Sequence, residues 1–406
     1  MTSTHEASEC GIRVAASATS DSDAAIAELK ETFTADDIAG VQHILVFFSL
    51  NHDAAKLAAG LALAFPGVPV SGCSTAGELA PSGMIDGGII LIAFPKDGFR
   101  ILSGVIEPID RVGVEQVAEI VRGLKSKIGP GRSGARPDAG PQSHADGARV
   151  FSLLLVDGLS KSEEQVVAAV HWAMDDVQLI GGSSGDSLNF ERTALIHDGR
   201  ALRDAAILLM IETDHPFRVF KTQNFEPTTT KLVVTSADTE NRIVHELNAE
   251  PAAREYATAI GLLPDDLGPF SFASYPLVVK VGGDYYCRSI RNLNPDGSLT
   301  FFCAIDEGLV FTVASPQDML AATRTTLEEI DQTLGGIDMV LGFDCILRRL
   351  DAQNRQISHQ FDALYRKYRI VGFNTYGEQF NAMHLNQTLT GIAFGRRAKV
   401  SEPADV

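Results

Sequence analysis

One pattern recurs three times along this chain, and it restricts the fold more than any other feature. "HILVFFSL" (43–50) reads as a buried strand and leads into an alanine-rich helix, "DAAKLAAGLALAF", then the short strand "VPVSG", a polar glycine turn and the strand "GIILIAF". "VFSLLLVDG" (150–158) opens a second copy through "SEEQVVAAVHWAM", "VQLIGGSSGD" and "AAILLMIE". The third runs "DMVLGFDCI", "SHQFDALYRKY", "RIVGFNTYGE" and "QTLTGIAFG". Strand–helix–strand units join parallel strands through right-handed crossovers. Each glycine turn then lies beyond the carboxyl end of a second strand, where open α/β sheets receive ligands. The first and third turns share a frame, with Gly72, Thr75, Gly77 and Glu78 recurring as Gly372, Thr375, Gly377 and Glu378. The middle turn, Gly181 to Asp186, is one residue shorter and ends in aspartate. Three matches in one context indicate an internally repeated unit.

Between the second and third copies the pattern changes. "YPLVVKVGGDYYCRSIRNLNPDGSLTFFCAIDEGLVFTVAS" is a string of short strands punctuated by turns, which predicts an antiparallel meander. "SPQDMLAATRTTLEEIDQTL" follows as a helix expected to be capped by Ser315 with Pro316 in its first turn. The expected fold class is therefore α/β, in two domains, with repeated strand–helix–strand units and an added antiparallel meander in the C-terminal half. The expected divisions are a loose N-terminal arm over 1–25, a domain over 26–230 containing a flexible loop at 129–148, a second domain over 231–395, and a tail at 396–406.

A net charge of −18 repels phosphate backbones and anionic lipid, which argues against nucleic-acid and membrane roles. No apolar run is long enough to span a bilayer and no secretory h-region opens the chain, so the expected compartment is the cytoplasm. Five scattered cysteines form no CxxC pair, which leaves zinc knuckles and dithiol redox chemistry unsupported, and no CxxCH motif attaches haem covalently.

The glycine turns supply the candidate ligand-binding residues. In the first these are Cys73, Ser74, Thr75, Gly77 and Glu78; in the second Ser183, Ser184 and Asp186; in the third Asn374, Tyr376 and Glu378. Glu78 and Glu378 either accept from a ligand amine or tie backbone N–H groups of their own loops. Cys73 stands where a nucleophile elbow would place its nucleophile, but no histidine is near and the thiol does not recur at Gly182 or Phe373. It reads better as a small buried hydrophobe. Arg348 either clamps a carboxylate or propionate or pairs with Asp344 or Asp351. His384, followed by Asn386 and Gln387, is a candidate haem-iron ligand or a hydrogen-bonded core residue. Tyr285, Tyr286 and Arg288 alternate on a strand and either wall a pocket or pack in a sheet. No nucleophile–base–orienter set is visible, so no catalytic residues are assigned and an enzyme is not expected.

The turns, in this order, resemble the FIST family of sensory domains. "GCSTAGEL" is similar to the N-terminal signature, and "VTSADTENRIVHELNAEPAAREY", "NPDGSLTFFCAIDEG", "GFDCILRR" and "FNTYGEQFNAMHLNQTLTG" to the C-terminal half. The resemblance implies a ligand-sensing module without activity of its own, acting beside a histidine kinase or a cyclic-dinucleotide enzyme, with small molecules such as amino acids as ligands. "FDCILRRL" and "HLNQTLTGIAFG" resemble the nitric-oxide-sensing haem branch of that family. That branch implies non-covalent haem b on His384, a gas ligand and a partner kinase; homo-oligomerisation stays open.

Overall fold

The computed structural model describes residues 4–128, 132–133 and 149–396. Apart from 132–133, the 129–148 stretch expected to be a flexible loop lies outside them, as does the tail beyond 396.

The repeat is longer than the sequence pattern suggests, because each unit begins with a further strand and helix. The first unit comprises β1 (Arg13–Ser17), α1 (Ser22–Glu31), β2 (Val41–Phe48), α2 (Ala54–Ala64), β3 (Val70–Ser74), the hairpin β4 (Glu78–Ala80) and β5 (Gly83–Ile85), and β6 (Ile89–Pro95). The second repeats this order as β7 (Phe99–Ile106), α3 (Val114–Lys125), β8 (Arg149–Val156), α4 (Glu163–Met174), β9 (Gln178–Ser183), the hairpin β10 (Leu195–His197) and β11 (Arg200–Leu202), and β12 (Ala206–Thr213). The third begins at β13 (Phe217–Thr222) and, after an inserted subdomain, continues with α5 (Met319–Leu334), β14 (Ile337–Cys345), α6 (Ser358–Lys367) and β15 (Ile370–Thr375). It ends with the hairpin β16 (Glu378–Phe380) and β17 (Met383–Leu385), and with β18 (Leu389–Gly395).

The expected crossovers are present: β2 and β3, β8 and β9, and β14 and β15 pair in parallel. The hairpins, however, do not stay in their own units. The second unit's hairpin pairs with the first unit's β3 (Leu195 opposite Cys73), the third's with β9 (Glu378 opposite Gly182), and the first's with β15 (Glu78 opposite Phe373). Each of three sheets thus borrows a hairpin from another unit, in a closed cycle. Their inner faces meet in one apolar core containing Phe47, Phe151, Phe343, Phe373 and Phe394, while the outer faces carry the helices. Sheets covered on both sides need near-continuous apolar strands, as in β2 and β8. Helix α2 answers with the buried stripe Leu57, Ala58, Leu61 and Ala64, and Asp53 caps it by accepting from the Lys56 N–H at 2.9 Å.

Cys73, Gly182 and Phe373 hold equivalent register positions on the three second strands. A Cβ on Gly182 would lie 2.8 Å from Phe373 Cζ and 3.1 Å from Phe343 Cδ1. The absent side chain in one unit is the space the third unit's phenylalanine fills.

The subdomain inserted between β13 and α5 is antiparallel, from Phe225–Asp238 to Val310–Pro316, around its own core of Leu232, Val244, Tyr256, Phe301 and Phe311. Its first strand runs through residue 230, where a boundary was expected. The meander is as predicted, but the helix after it starts later: Ser315 and Pro316 end a strand, and Asp318 caps α5 by accepting from Ala321 N–H at 2.9 Å. The expected loose arm is also corrected. Arg13–Ser17 is a strand on β6, and the backbone N–H groups of Glu9 and Cys10 donate to Asp338 at 2.9 and 2.7 Å. Its short alanine-rich run carried too little apolar contrast to be read as a strand. No helix among the described residues is long and apolar enough to cross a membrane.

Candidate functional site

Ser74 and Ser183 end their second strands and Asn374 is the last residue but one of the third, and through these equivalent positions the glycine turns lock together. Their backbone N–H groups donate to Ala194 (2.8 Å), Gly377 (2.8 Å) and Gly77 (2.7 Å), each on a hairpin segment of another unit. Their carbonyls accept in turn from Gly185 (3.1 Å), Tyr376 (3.2 Å) and Ala76 (2.9 Å). Two residues back, Gly72, Gly181 and Gly372 let neighbouring strands approach so closely that a Cβ would lie 1.8–1.9 Å from a carbonyl oxygen.

Side chains extend this cycle. Ser74 Oγ donates to Gly185 O at 2.8 Å and accepts from Ala194 N–H at 3.1 Å. Ser184 Oγ accepts from Gly158 N–H at 3.1 Å, and Asn374 Oδ1 from Arg349 Nη1 at 3.3 Å. A Cβ on Gly77, whose φ is +143°, would collide with that arginine at 1.9 Å.

The turn carboxylates tie down their own hairpins. Thr75 Oγ1 donates to Glu78 Oε1 at 2.5 Å, and Gly88 N–H to Oε2 at 3.1 Å. In the third copy Thr375 Oγ1 donates to Glu378 Oε1, while Thr388 gives its N–H and hydroxyl to Oε2 at 3.2 and 2.8 Å. Asp186 accepts from the N–H groups of Phe190, Glu191 and Arg192 at 2.8, 2.8 and 3.0 Å, and from the Tyr376 hydroxyl. Burial raises Glu78 to about 7 and Glu378 to about 8, outweighing hydrogen bonds that favour ionisation. The geometry of these carboxylates is that of loop support.

Two further candidates are internal braces. Cys73 lies in the central core, where burial pushes its thiol well above the ordinary range. Arg348 donates through Nε to Asp344 Oδ1 (2.7 Å), Nη1 to Asn224 Oδ1 (3.2 Å) and Nη2 to Thr323 Oγ1 (3.0 Å). Asp344 accepts also from the Tyr365 hydroxyl at 2.9 Å, so this buried pair stitches β14 to α5 and α6.

The third hairpin differs from the other two in what surrounds it. Held on β9, it lies between the start of α4 and the inserted subdomain. Gln379 Nε2 donates to Ser183 Oγ at 2.9 Å, Asn386 Nδ2 to Tyr376 O at 3.1 Å, and Gln387 Nε2 to Phe272 O at 3.1 Å. Yet Gln379 Oε1, His384 Nε2 and Asn386 Oδ1 are buried without a partner among the described residues. Unmet buried polar atoms cost about 1–3 kcal/mol each, and such atoms in a native fold call for an explanation. Burial lowers His384 to about 4, so its imidazole is neutral at pH 7. Beside it, Arg242 Nη2 donates to Glu163 Oε2 (2.6 Å) and Glu164 Oε2 (2.8 Å), and Arg288 Nη1 to His384 O (3.3 Å). A narrow cleft, with interior room for about one water molecule, adjoins this cluster and is lined by Lys161, Arg242, Arg291, Phe302 and Tyr376 among others.

Of the sequence candidates, Ser183, Tyr376, His384, Asn386 and Gln387 thus meet at this junction, and Arg288 joins them. Glu163, Glu164, Arg242, Arg291 and Gln379 were missed, because they come from helix α4, the insertion and a strand with no motif in common. The junction does not have the form of a haem slot. A neutral imidazole with an unpartnered nitrogen is the right donor, but a Cβ on Gly377 would already sit 2.5 Å from His384 Nε2. Charged and amide groups rather than apolar walls surround the ring. Among the described residues no three His, Cys, Asp or Glu side chains are grouped to hold a metal ion.

The sequence matches two family models that together span most of the chain: the FIST N domain over residues 42–250 and the FIST C domain over 252–381. No curated protein gives a significant match.

Proposed function

Because this chain belongs to the FIST family of sensory signal-transduction domains, we propose that it detects a small polar molecule at the junction of the third hairpin, α4 and the inserted subdomain. The observation that carries this reading is the set of three buried, unpartnered atoms, Gln379 Oε1, His384 Nε2 and Asn386 Oδ1. Two amide oxygens and an imidazole nitrogen suit a ligand with an amine, such as an amino acid. The ligand would bridge a hairpin that belongs to the third unit, pairs in the second unit's sheet and packs against the insertion. Binding there favours one arrangement of these parts over another, which is what a sensor has to transmit. The output passes to a separate signalling partner, a histidine kinase or a cyclic-dinucleotide enzyme.

Thermal-shift measurement on the full chain with the common amino acids tests this reading. A concentration-dependent rise in Tm, lost in Asn386→Ala, supports it, because a native-state ligand stabilises by mass action. No rise with any of them would overturn it. The neutral, unpartnered His384 imidazole alone supports a second reading, non-covalent haem and nitric-oxide sensing. Adding hemin and recording the spectrum tests it: stoichiometric uptake with a Soret band lost in His384→Ala supports haem, and its absence removes it.

A further inference from the structure

Arg291 is a half-buried guanidinium with no carboxylate partner among the described residues. Its Nε donates to Asn292 Oδ1 at 3.1 Å, and its plane lies over the Phe190 ring at 5.5 Å. In this chain of 52 acidic and 34 basic residues, the more deeply buried Arg348 and Arg242 are paired, with Asp344 and with Glu163 and Glu164, while the half-buried Arg288 donates to the His384 carbonyl. Arg291 instead faces a cleft it shares with Arg242 and Lys161, and burial and the Arg242 charge both lower its pKa. Among the described residues Lys161 is bonded only to a neutral group, Asn241 Oδ1 at 2.7 Å. The one carboxylate on the lining, Glu163, is held by Arg242.

Phe301, Phe302 and Tyr376 also line this cleft. Behind it Phe190 packs on Phe302 and Tyr376, with the three ring centroids 4.9, 5.6 and 5.8 Å apart, and this fixes the ring that Arg291 covers. Lys161, Phe190 and Arg242 all adopt left-handed backbone, with φ of 59°, 56° and 58°. Such conformations cost about 1–3 kcal/mol each and persist where the surroundings fix them, commonly at ligand clamps.

We propose that the sensed molecule is an organic anion whose carboxylate is taken by Arg291 at the mouth of this cleft, the rest of the molecule extending outward from it. Arginine suits this role, since its planar fork grips a carboxylate with two hydrogen bonds. The assignment rests on the reading of the junction as the ligand site and adds the chemical class the ligand must have.

Isothermal titration of the full chain at pH 7 with phenylacetate and with its neutral amide, phenylacetamide, tests the assignment. Phenylacetate is expected to give saturable binding at least tenfold tighter than the amide, and Arg291→Gln to weaken it at least tenfold with Tm within a few degrees of wild type. Equal binding of acid and amide, no saturable heat from either, or an unchanged affinity in Arg291→Gln would overturn it. The two readings fail separately. Amino-acid binding abolished by Asn386→Ala but indifferent to Arg291→Gln removes the anion assignment and keeps the junction. Amino-acid and phenylacetate binding indifferent to both variants removes both.

Discussion

The hydroxyl of Tyr376, in the third turn, donates to the carboxylate of Asp186, in the second, across 190 residues of chain. Asp186 meanwhile organises its own loop by accepting from three consecutive backbone N–H groups, those of Phe190, Glu191 and Arg192. One carboxylate therefore ties loop conformation to the packing of two units, at the edge of the proposed ligand cleft. Tyr376→Phe keeps the ring contact with Phe190 and removes only the hydroxyl. A loss of about 1–3 kcal/mol by urea denaturation is expected.

The strand-crossing glycines are the least replaceable positions. Alanine at Gly72, Gly181 or Gly372 would bring its Cβ within 2 Å of a backbone carbonyl that cannot yield. Each variant should lose more than about 4 kcal/mol or fail to fold. Gly123, inside helix α3 with nothing within 4 Å of its would-be Cβ, is the control. Gly123→Ala should stabilise by about 0.5–1 kcal/mol, as measured by the same unfolding curves.

Glycine 182 and phenylalanine 373 form one packing unit. Gly182→Ala places a methyl 2.8 Å from Phe373 Cζ and 2.6 Å from Thr375 Cγ2, at an expected cost of about 1–3 kcal/mol. Trimming the ring in Phe373→Leu should reduce that cost, so the double variant is expected to be more stable than the sum of the singles predicts. A double-mutant cycle reads this coupling directly.

The pH dependence has a defined sign. Burial raises Glu378 from 4.5 to about 8, so between these values the unfolded chain releases a proton that the folded chain keeps. Stability from this group is complete below pH 4.5 and is lost as pH rises towards 8, with a slope of up to about 1.4 kcal/mol per unit. Glu78, raised to about 7, acts in the same direction. Glu378→Gln should remove its share, so Tm of wild type minus Tm of the variant should fall between pH 5 and 8.

Much of the architecture was legible because it rests on local pattern. The three β-branched runs, the crossover helices and the glycine turns each follow from periodicity and turn chemistry within about 40 residues. The hairpin exchange was not, since Glu78 opposite Phe373 and Glu378 opposite Gly182 are pairings between distant segments that leave no local trace. The recurrence of Thr75 and Glu78 as Thr375 and Glu378 correctly marked a repeated structure. Which of its two uses applied depended on Gly88 and Thr388, ten residues downstream, which occupy the second oxygen of each carboxylate. His384, Asn386 and Gln387 were singled out by residue type. Arg291 was not, because what marks it is its place on a cleft shared with Arg242 and Lys161, and that is visible only once the surrounding fold is known.

Hydrogen–deuterium exchange of the full chain, with and without the amino acid that raises Tm most, tests the central claim most directly. If the junction is the sensory site, protection concentrates in peptides covering 376–387, 158–164 and 288–302, the segments that contribute Asn386, Lys161 and Arg291. Protection confined to the outer helices, or none at saturating ligand, would contradict the account.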